Sequence, residues 1–258
     1  MKRVVILSDF HCGHHVGLTP PKFNPKLTEG EGLLLYDTRQ KYWDFFSKTI
    51  KSLQPIDILV VNGDLIDGKG VKSGGTEQIT TDRNSQVDMA VATVKFCKAN
   101  KIFMSYGTGY HTGNDEDWEK QVADECGADI HSRGWIDVNG LVFDYKHHIG
   151  GSQSPSGRLT PLLTEKIWSV LWAEHDEYPK AQVLVRSHVH YFMYGGGYNW
   201  LGITTPALQG YGSKFGARRM KGTVDFGLLS FDVTSKDDFS WDYHILKNRT
   251  AGSHVAKA

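Results

Sequence analysis

The chain has 258 residues, 40% of them hydrophobic and 12% aromatic, enough to bury a full core within one large domain. Its 29 basic and 29 acidic side chains balance, which excludes a global field that recruits nucleic acid or an anionic membrane and leaves room only for a local basic patch. Cys12, Cys97 and Cys126 are odd in number and lack CxxC spacing, which argues against a disulfide framework or a structural zinc knuckle and favours a reducing cytoplasm.

The N-terminal "MKRVVILSDF" has an apolar stretch of about five residues, short of the roughly 7 to 15 of a secretory leader, and no run reaches membrane-spanning length. In chain order, strands are predicted at 3–7, 57–61, 101–106, 141–145 and 181–185, each short and most of them β-branched. Helices are predicted at 35–53, 84–100, 115–126 and 163–178, where apolar residues such as Tyr42, Phe45, Phe46 and Ile50 keep a helical stripe. This alternation implies βαβ crossovers and a largely parallel sheet at the front of the chain. After residue 190, "YFMYGGGYNW" and "GLLSFDV" read as antiparallel pairs, so two mixed sheets packed together are expected. Two Pro- and Gly-punctuated segments, 17–35 and 150–161, follow histidine-rich stretches and read as rim loops of a site; 251–258 reads as a loose tail of a single domain spanning 1–258.

Residues suited to metal binding follow one predicted strand after another. The first strand is followed by Asp9 and His11, the second by Asp64 and Asp67, and the third by His111. His147 and His148, then His188 and His190, follow the strands ending near 145 and 185. Carboxyl ends of parallel strands share one edge, where ligands bind, so five segments converge. A buried carboxylate without a partner costs several kcal/mol, which a cation relieves. Imidazole and carboxylate without a placed thiolate suit manganese, iron, nickel or zinc. A carboxylate bridging two such ions suits phosphoester hydrolysis. Asp67 either caps a turn or supports a ligand from behind, His14 and His15 read as exposed rim residues, and Cys12 reads as a small packing residue.

The ordered set "D-F-H", "N-G-D", "G-T-G-Y-H", "H-H-I-G-G" and "S-H-V-H", spanning residues 9 to 190, resembles the calcineurin-like metallophosphoesterase superfamily. The resemblance implies a four-layered α/β-β/α sandwich, two mixed sheets face to face with helices outside, and a dinuclear centre. By motif, Asp9, His11 and His190 hold the first ion, Asp64 bridges, and His148 and His188 hold the second, with the adjacent His147 as contender. Strand alternation lets only one of the two histidines ligate. The sequence departs from the pattern twice. Ser187 replaces a glycine, which is tolerated if the backbone there does not need positive φ. The turn before His111 is two residues longer, so Thr108 stands where an asparagine ligand is expected and the second ion is expected to bind more weakly.

The expected function is a metal-dependent phosphoesterase with two divalent ions, Mn²⁺ favoured over Fe, Ni or Zn. A hydroxide generated at the pair attacks phosphorus in line, and His111 serves the leaving oxygen. Lys214, Arg218, Arg219 and Lys221 in "GYGSKFGARRMKG" either form an ordinary solvated hairpin or, if the segment faces the metals, grip a phosphate, with Arg218 and Arg219 as substrate-binding candidates. The latter favours a nucleotide or nucleic-acid diester over a small monoester. The alternative from another class is a non-catalytic scaffold of the same fold that binds a protein partner.

Overall fold

A computed structural model describes residues 1–26, 30–112, 117–152, 154–212 and 222–247. The tail 251–258 and the basic residues Lys214, Arg218, Arg219 and Lys221 lie outside these described residues. The first sheet has six strands in the order β11 (Phe239–Ile245), β10 (Gly227–Val233), β1 (Lys2–Leu7), β2 (Ile58–Asn62), β3 (Lys101–Ser105), β4 (Asp129–His131). The second has five, in the order β5 (Gly134–Val138), β6 (Leu141–Lys146), β7 (Val183–Arg186), β9 (Trp200–Thr204), β8 (Met193–Gly197). Strands β1 to β4 run parallel, as do β6, β7 and β9, while β10, β11, β5 and β8 pair antiparallel. Both sheets are therefore mixed, as expected.

Strand alternation sorts the side chains into layers. Val4, Ile6, Ile58 and Val60 face Phe143, Tyr145, Val183, Val185 and Ile203 in a dry core between the sheets. Their neighbours Val5, Leu7, Leu59 and Val61 face outward into a second core with Tyr42, Phe46 and Ile50 of α1 (Gly30–Leu53), Val87, Ala90 and Val94 of α2 (Arg83–Phe96), and Val122 of α4 (Trp118–Cys126). Leu162, fully buried, seats α5 (Thr160–Glu174) outside the second sheet beside Ile149 and Tyr191. Helix, sheet, sheet, helix is the layering expected of this sequence. Helix α1 starts at residue 30, inside the segment read as a rim loop, and α5 covers 160–174 rather than 163–178.

The sheets share a polar stitch below their carboxyl ends. Asn62 Nδ2 donates to Ser187 Oγ (2.7 Å), Ser105 Oγ donates to Asn62 Oδ1 (2.7 Å), and Thr205 Oγ1 lies 2.8 Å from Ser187 Oγ and 2.7 Å from Ser8 Oγ. Ser187 is thus used for its hydroxyl. Its backbone is not in the left-handed region, so glycine is not required there.

Candidate metal centre

Past the last residues of β1, β2 and β7 the chain turns sharply. Asp9 (φ 53°), His11 (φ 44°), Asp64 (φ 53°), His188 (φ 72°) and His190 (φ 56°) all occupy the left-handed region. Each such residue costs on the order of 1 kcal/mol, and Asp and His tolerate the region better than bulky types. Strain concentrated on five candidate donors is characteristic of a functional site held by its surroundings. Asp9 N–H donates to Gly63 O (2.9 Å) and His11 N–H to Asp64 O (3.0 Å), so the two turns run side by side. Ser187 N–H donates to His147 O (2.8 Å), doing the same in the second sheet.

Three donor sets result, each with its ligand atoms within 4.8 Å of one another: Asp9, His11 and His190; Asp64, His147 and His188; His11, Asp64 and His111. Asp64 belongs to two of them. His190 Nε2 lies 3.2 Å from Asp9 Oδ1, His11 Nε2 lies 3.3 Å from His190 Nε2, and His147 Nε2 lies 3.0 Å from Asp64 Oδ2. Despite these close approaches, both Asp9 oxygens and His147 Nε2 are buried without a hydrogen bond among the described residues. Orphaned donors of this kind, aimed into one space, fit a cation between them.

The residues behind the donors fix their tautomers. His147 contacts the Asn62 carbonyl through Nδ1 (2.7 Å), and His111 contacts the Asp67 carbonyl in the same way (2.8 Å). A carbonyl only accepts, so each Nδ1 carries hydrogen and each Nε2 faces the centre. His11 Nδ1 meets Asp67 Oδ1 at 3.2 Å, while Gln78 Nε2 donates to Asp67 Oδ2 (2.8 Å). Asp67 therefore sits behind His11.

Electrostatics match this arrangement. Burial raises the Asp64 carboxyl, but His147, His111 and His11 outweigh it and hold Asp64 well below the carboxylate range. Burial lowers His147, and Asp64 and Asp9 reverse this, pushing it up to about 10. His188 is pushed down to about 4, chiefly by burial, and so offers a neutral lone pair at neutral pH. Burial, followed by the nearby His11, also lowers His111.

Of the adjacent histidines, the structure brings His147, and not the expected His148, together with Asp64 and His188. His147 is buried against Asp64, whereas His148 is exposed, its ring 4.7 Å from that of His188. The other expected donors, Asp9, His11, Asp64, His188 and His190, come together, and His111 joins them from the four-residue helix α3 (Gly109–Thr112), its ring edge-on to His11 at 4.6 Å. Thr108 also reaches the site, donating from its backbone N (2.6 Å) and Oγ1 (2.8 Å) to Asp64 Oδ1. Gly107 permits this, since a methyl there would overlap the Asp64 carboxylate and backbone nitrogen. His14 is 5% exposed rather than a rim residue: its Nδ1 accepts from Val16 N–H (3.1 Å), and burial pushes it down to about 4. Cys12 is buried, its Sγ on the Leu18 carbonyl (3.3 Å), in the packing role expected of it.

Sequence reasoning missed Glu119. This fully buried carboxylate on α4 accepts from Leu65 N–H (2.9 Å) and Gly107 N–H (2.6 Å), tying together the two turns on which Asp64 and Thr108 lie. Burial, with the Asp64 charge adding to it, pushes Glu119 up to about 7. In "DEDWEKQ" it is one acid among several, and nothing in the spacing marks it.

No family model and no curated protein matches the sequence. Among solved structures the chain is similar to an archaeal phosphodiesterase, at 13% identity over 95% of this chain and 99% of that one (TM-score 0.48). It is also similar to zinc-complexed Vps29 from Entamoeba histolytica, at 8% identity over 94% and 98% of the two chains (TM-score 0.45). A third is a predicted phosphoesterase from Streptococcus pneumoniae, at 10% identity over 94% and 88% (TM-score 0.40). These likenesses are remote, so the donor set itself carries the functional argument.

Proposed function

We propose that this chain is a metal-dependent phosphoesterase of the calcineurin-like superfamily, with a phosphodiester as its favoured substrate. The observation that carries the reading is Asp64, shared by two donor sets, one with His11 and His111 and one with His147 and His188, beside Asp9 oxygens and a His147 Nε2 that are buried without a hydrogen bond among the described residues. Asp9, His11 and His190 would hold one divalent ion and His147 and His188 a second, with Asp64 between them; manganese is favoured for a nitrogen and oxygen set. Bound there, the pair would supply positive charge for the phosphoryl oxygens and acidify water for in-line displacement. His111, anchored through Nδ1 on the Asp67 carbonyl, keeps Nε2 toward the centre, where it can hold a proton for the leaving oxygen. Asp67 and Gln78 orient His11, and Glu119 steadies the turn that brings Thr108 to Asp64. Preference for a diester rests on the basic segment 210–222, with Arg218 and Arg219 as its gripping residues. A scaffold has no use for six converging donors, four of them buried.

The test is hydrolysis of bis(p-nitrophenyl) phosphate and p-nitrophenyl phosphate by chelated protein with and without added Mn²⁺, alongside Asp64→Asn. Metal-dependent hydrolysis, faster on the diester and at least about 100-fold lower in Asp64→Asn with less bound metal, is expected. Wild-type protein that binds no metal and cleaves neither compound would sink the proposal.

A further inference from the structure

Helix α5 is built inside out. Toward the second sheet it turns Leu162, Glu165, Lys166 and Ser169. Glu165 Oε2 accepts from Arg186 Nε (2.9 Å) and Oε1 from Lys146 Nζ (3.3 Å), and Lys166 Nζ donates to the Ala181 carbonyl (3.2 Å). Away from the sheet it presents Leu163, Ile167, Trp168, Val170, Leu171 and Trp172, between 39% and 61% exposed. At about 100° per residue these six cover roughly half of the helix circumference, and the one charged residue of α5 on that arc is Glu174, in the last turn. Surface helices ordinarily show the reverse pattern, with the apolar stripe toward the core and charges toward water.

The apolar surface extends beyond the helix. Val170 shares a cavity of about 950 Å³ with Tyr194, Tyr198, Trp200 and Trp241, and Tyr194 and Tyr198 are themselves exposed. The six α5 side chains expose roughly 500 Å², already at the upper end of what monomers leave uncovered. With the hairpin tyrosines the surface approaches the roughly 800 Å² per partner of a standard interface.

The chemistry of the surface narrows its occupant. The two longer segments of this chain outside the described residues, "SKFGARRMK" at 213–221 and "NRTAGSHVAKA" at 248–258, offer Phe215, Met220 and Val255 as large apolar side chains, and the short ones add Leu27. They do not match such a strip. A nucleic acid or an anionic bilayer requires a run of cations across the contact face; the outward arc of α5 has none and ends in Glu174, with Asp176 and Glu177 just beyond, and Lys180 and Lys236 lie at the cavity beside it. A second copy of the chain meets every requirement. Apart from Glu174 in the last turn the arc is uncharged, so little like-charge repulsion arises across a two-fold axis, and the ridges Leu163, Ile167, Leu171 and Trp168, Trp172, spaced by four, suit packing against their own copies. We infer that α5 forms the seam of a homodimer.

Sedimentation velocity up to about 100 µM tests this on the full chain. Wild type is expected at twice 28.9 kDa, and Ile167→Glu with Trp168→Glu at 28.9 kDa, with dimerisation weakened at least about 100-fold and bound metal and hydrolysis unchanged. Should the double variant fail to fold by circular dichroism, Ile167→Cys in a Cys126→Ser background, treated with a short bismaleimide, is expected to yield a cross-linked dimer. A monomeric wild type, a double variant that stays dimeric, or a cysteine variant that does not cross-link overturns the inference. None of these results bears on the hydrolytic reading, which the metal and activity assays test separately.

Discussion

His147 and His148 show how one residue step decides a site. Phe143 and Tyr145 lie in the core between the sheets, while Asp144 and Lys146 face the other side. Continuing the alternation puts His147 on the inner face and His148 with the polar residues, so "FDYKHH" already held the answer. We expect His147→Ala to lose one equivalent of metal and at least about 100-fold in kcat/KM, and His148→Ala to stay within about threefold of wild type, as read by metal analysis and diester hydrolysis. Equal losses would return His148 to the donor set. The protonation state of His147 adds a pH dependence. Its pKa, raised from 6.5 to about 10, means the proton stabilises the metal-free fold fully below pH 6.5, and this contribution fades as pH rises through about 10. Metal competes with that proton, so affinity is expected to rise across the same window, and a titration of metal binding between pH 6.5 and 9 showing no change would contradict the assignment.

Elements that were legible in the sequence are those with both faces buried. Strands β1, β2, β3, β6 and β7 read as continuous apolar runs because parallel strands inside a sandwich have no wet face. Of the strands that escaped notice, β4, β5 and β11 lie at sheet edges, where one-sided packing leaves sequences such as "DIH" and "FSWDYHI" without a strong pattern, while β9, inside the second sheet, follows directly on the glycine-rich β8 and is broken by Gly202. The donors were legible because they directly follow central strands. Their supports were not: Glu119 reaches the site from a helix remote in sequence, and the hydroxyls of Ser8, Ser187 and Thr205 meet only once the sheets are stacked. The turn "GTG" shows how tightly elements are joined there. Gly107 passes so close to Asp64 that any Cβ must displace the β2 turn or the β3 turn. Gly107→Ala is therefore expected to cost about 1–3 kcal/mol of stability by overpacking. It should also lower diester hydrolysis at least about tenfold by moving Thr108 off the Asp64 carboxylate. A variant with wild-type melting and turnover would mean that the turn has room to shift.

At the scale of the whole molecule, the second sheet is fastened on its outer side by charge. Arg186 is fully buried and donates through Nη1 (3.2 Å) and Nη2 (3.1 Å) to the two Asp144 oxygens, which also accept from Arg133 Nε (2.9 Å) and Nη2 (2.5 Å). Glu165 joins from α5, so the polar groups of the helix are drawn inward and its apolar groups left outward. Burying the Asp144 carboxylate raises its pKa, and Arg133 and Arg186 more than offset this, leaving it below its ordinary 3.8. A depressed folded pKa means that the stabilisation is complete above pH 3.8 and lost as pH falls through the lower folded value. Removing the carboxylate takes from Arg133 its acidic partner and leaves the fully buried Arg186 with Glu165 alone as its counter-charge, a loss of about 3–5 kcal/mol. Asp144→Asn is thus expected to lower the melting temperature by about 6–15 °C at pH 7. Because its side chain no longer titrates, the gap between variant and wild type should narrow as pH falls below 3.8. Thermal melts across that range check both statements, and a variant that melts within about 2 °C of wild type at pH 7 would show that the arginines find other acceptors and that the clasp is dispensable.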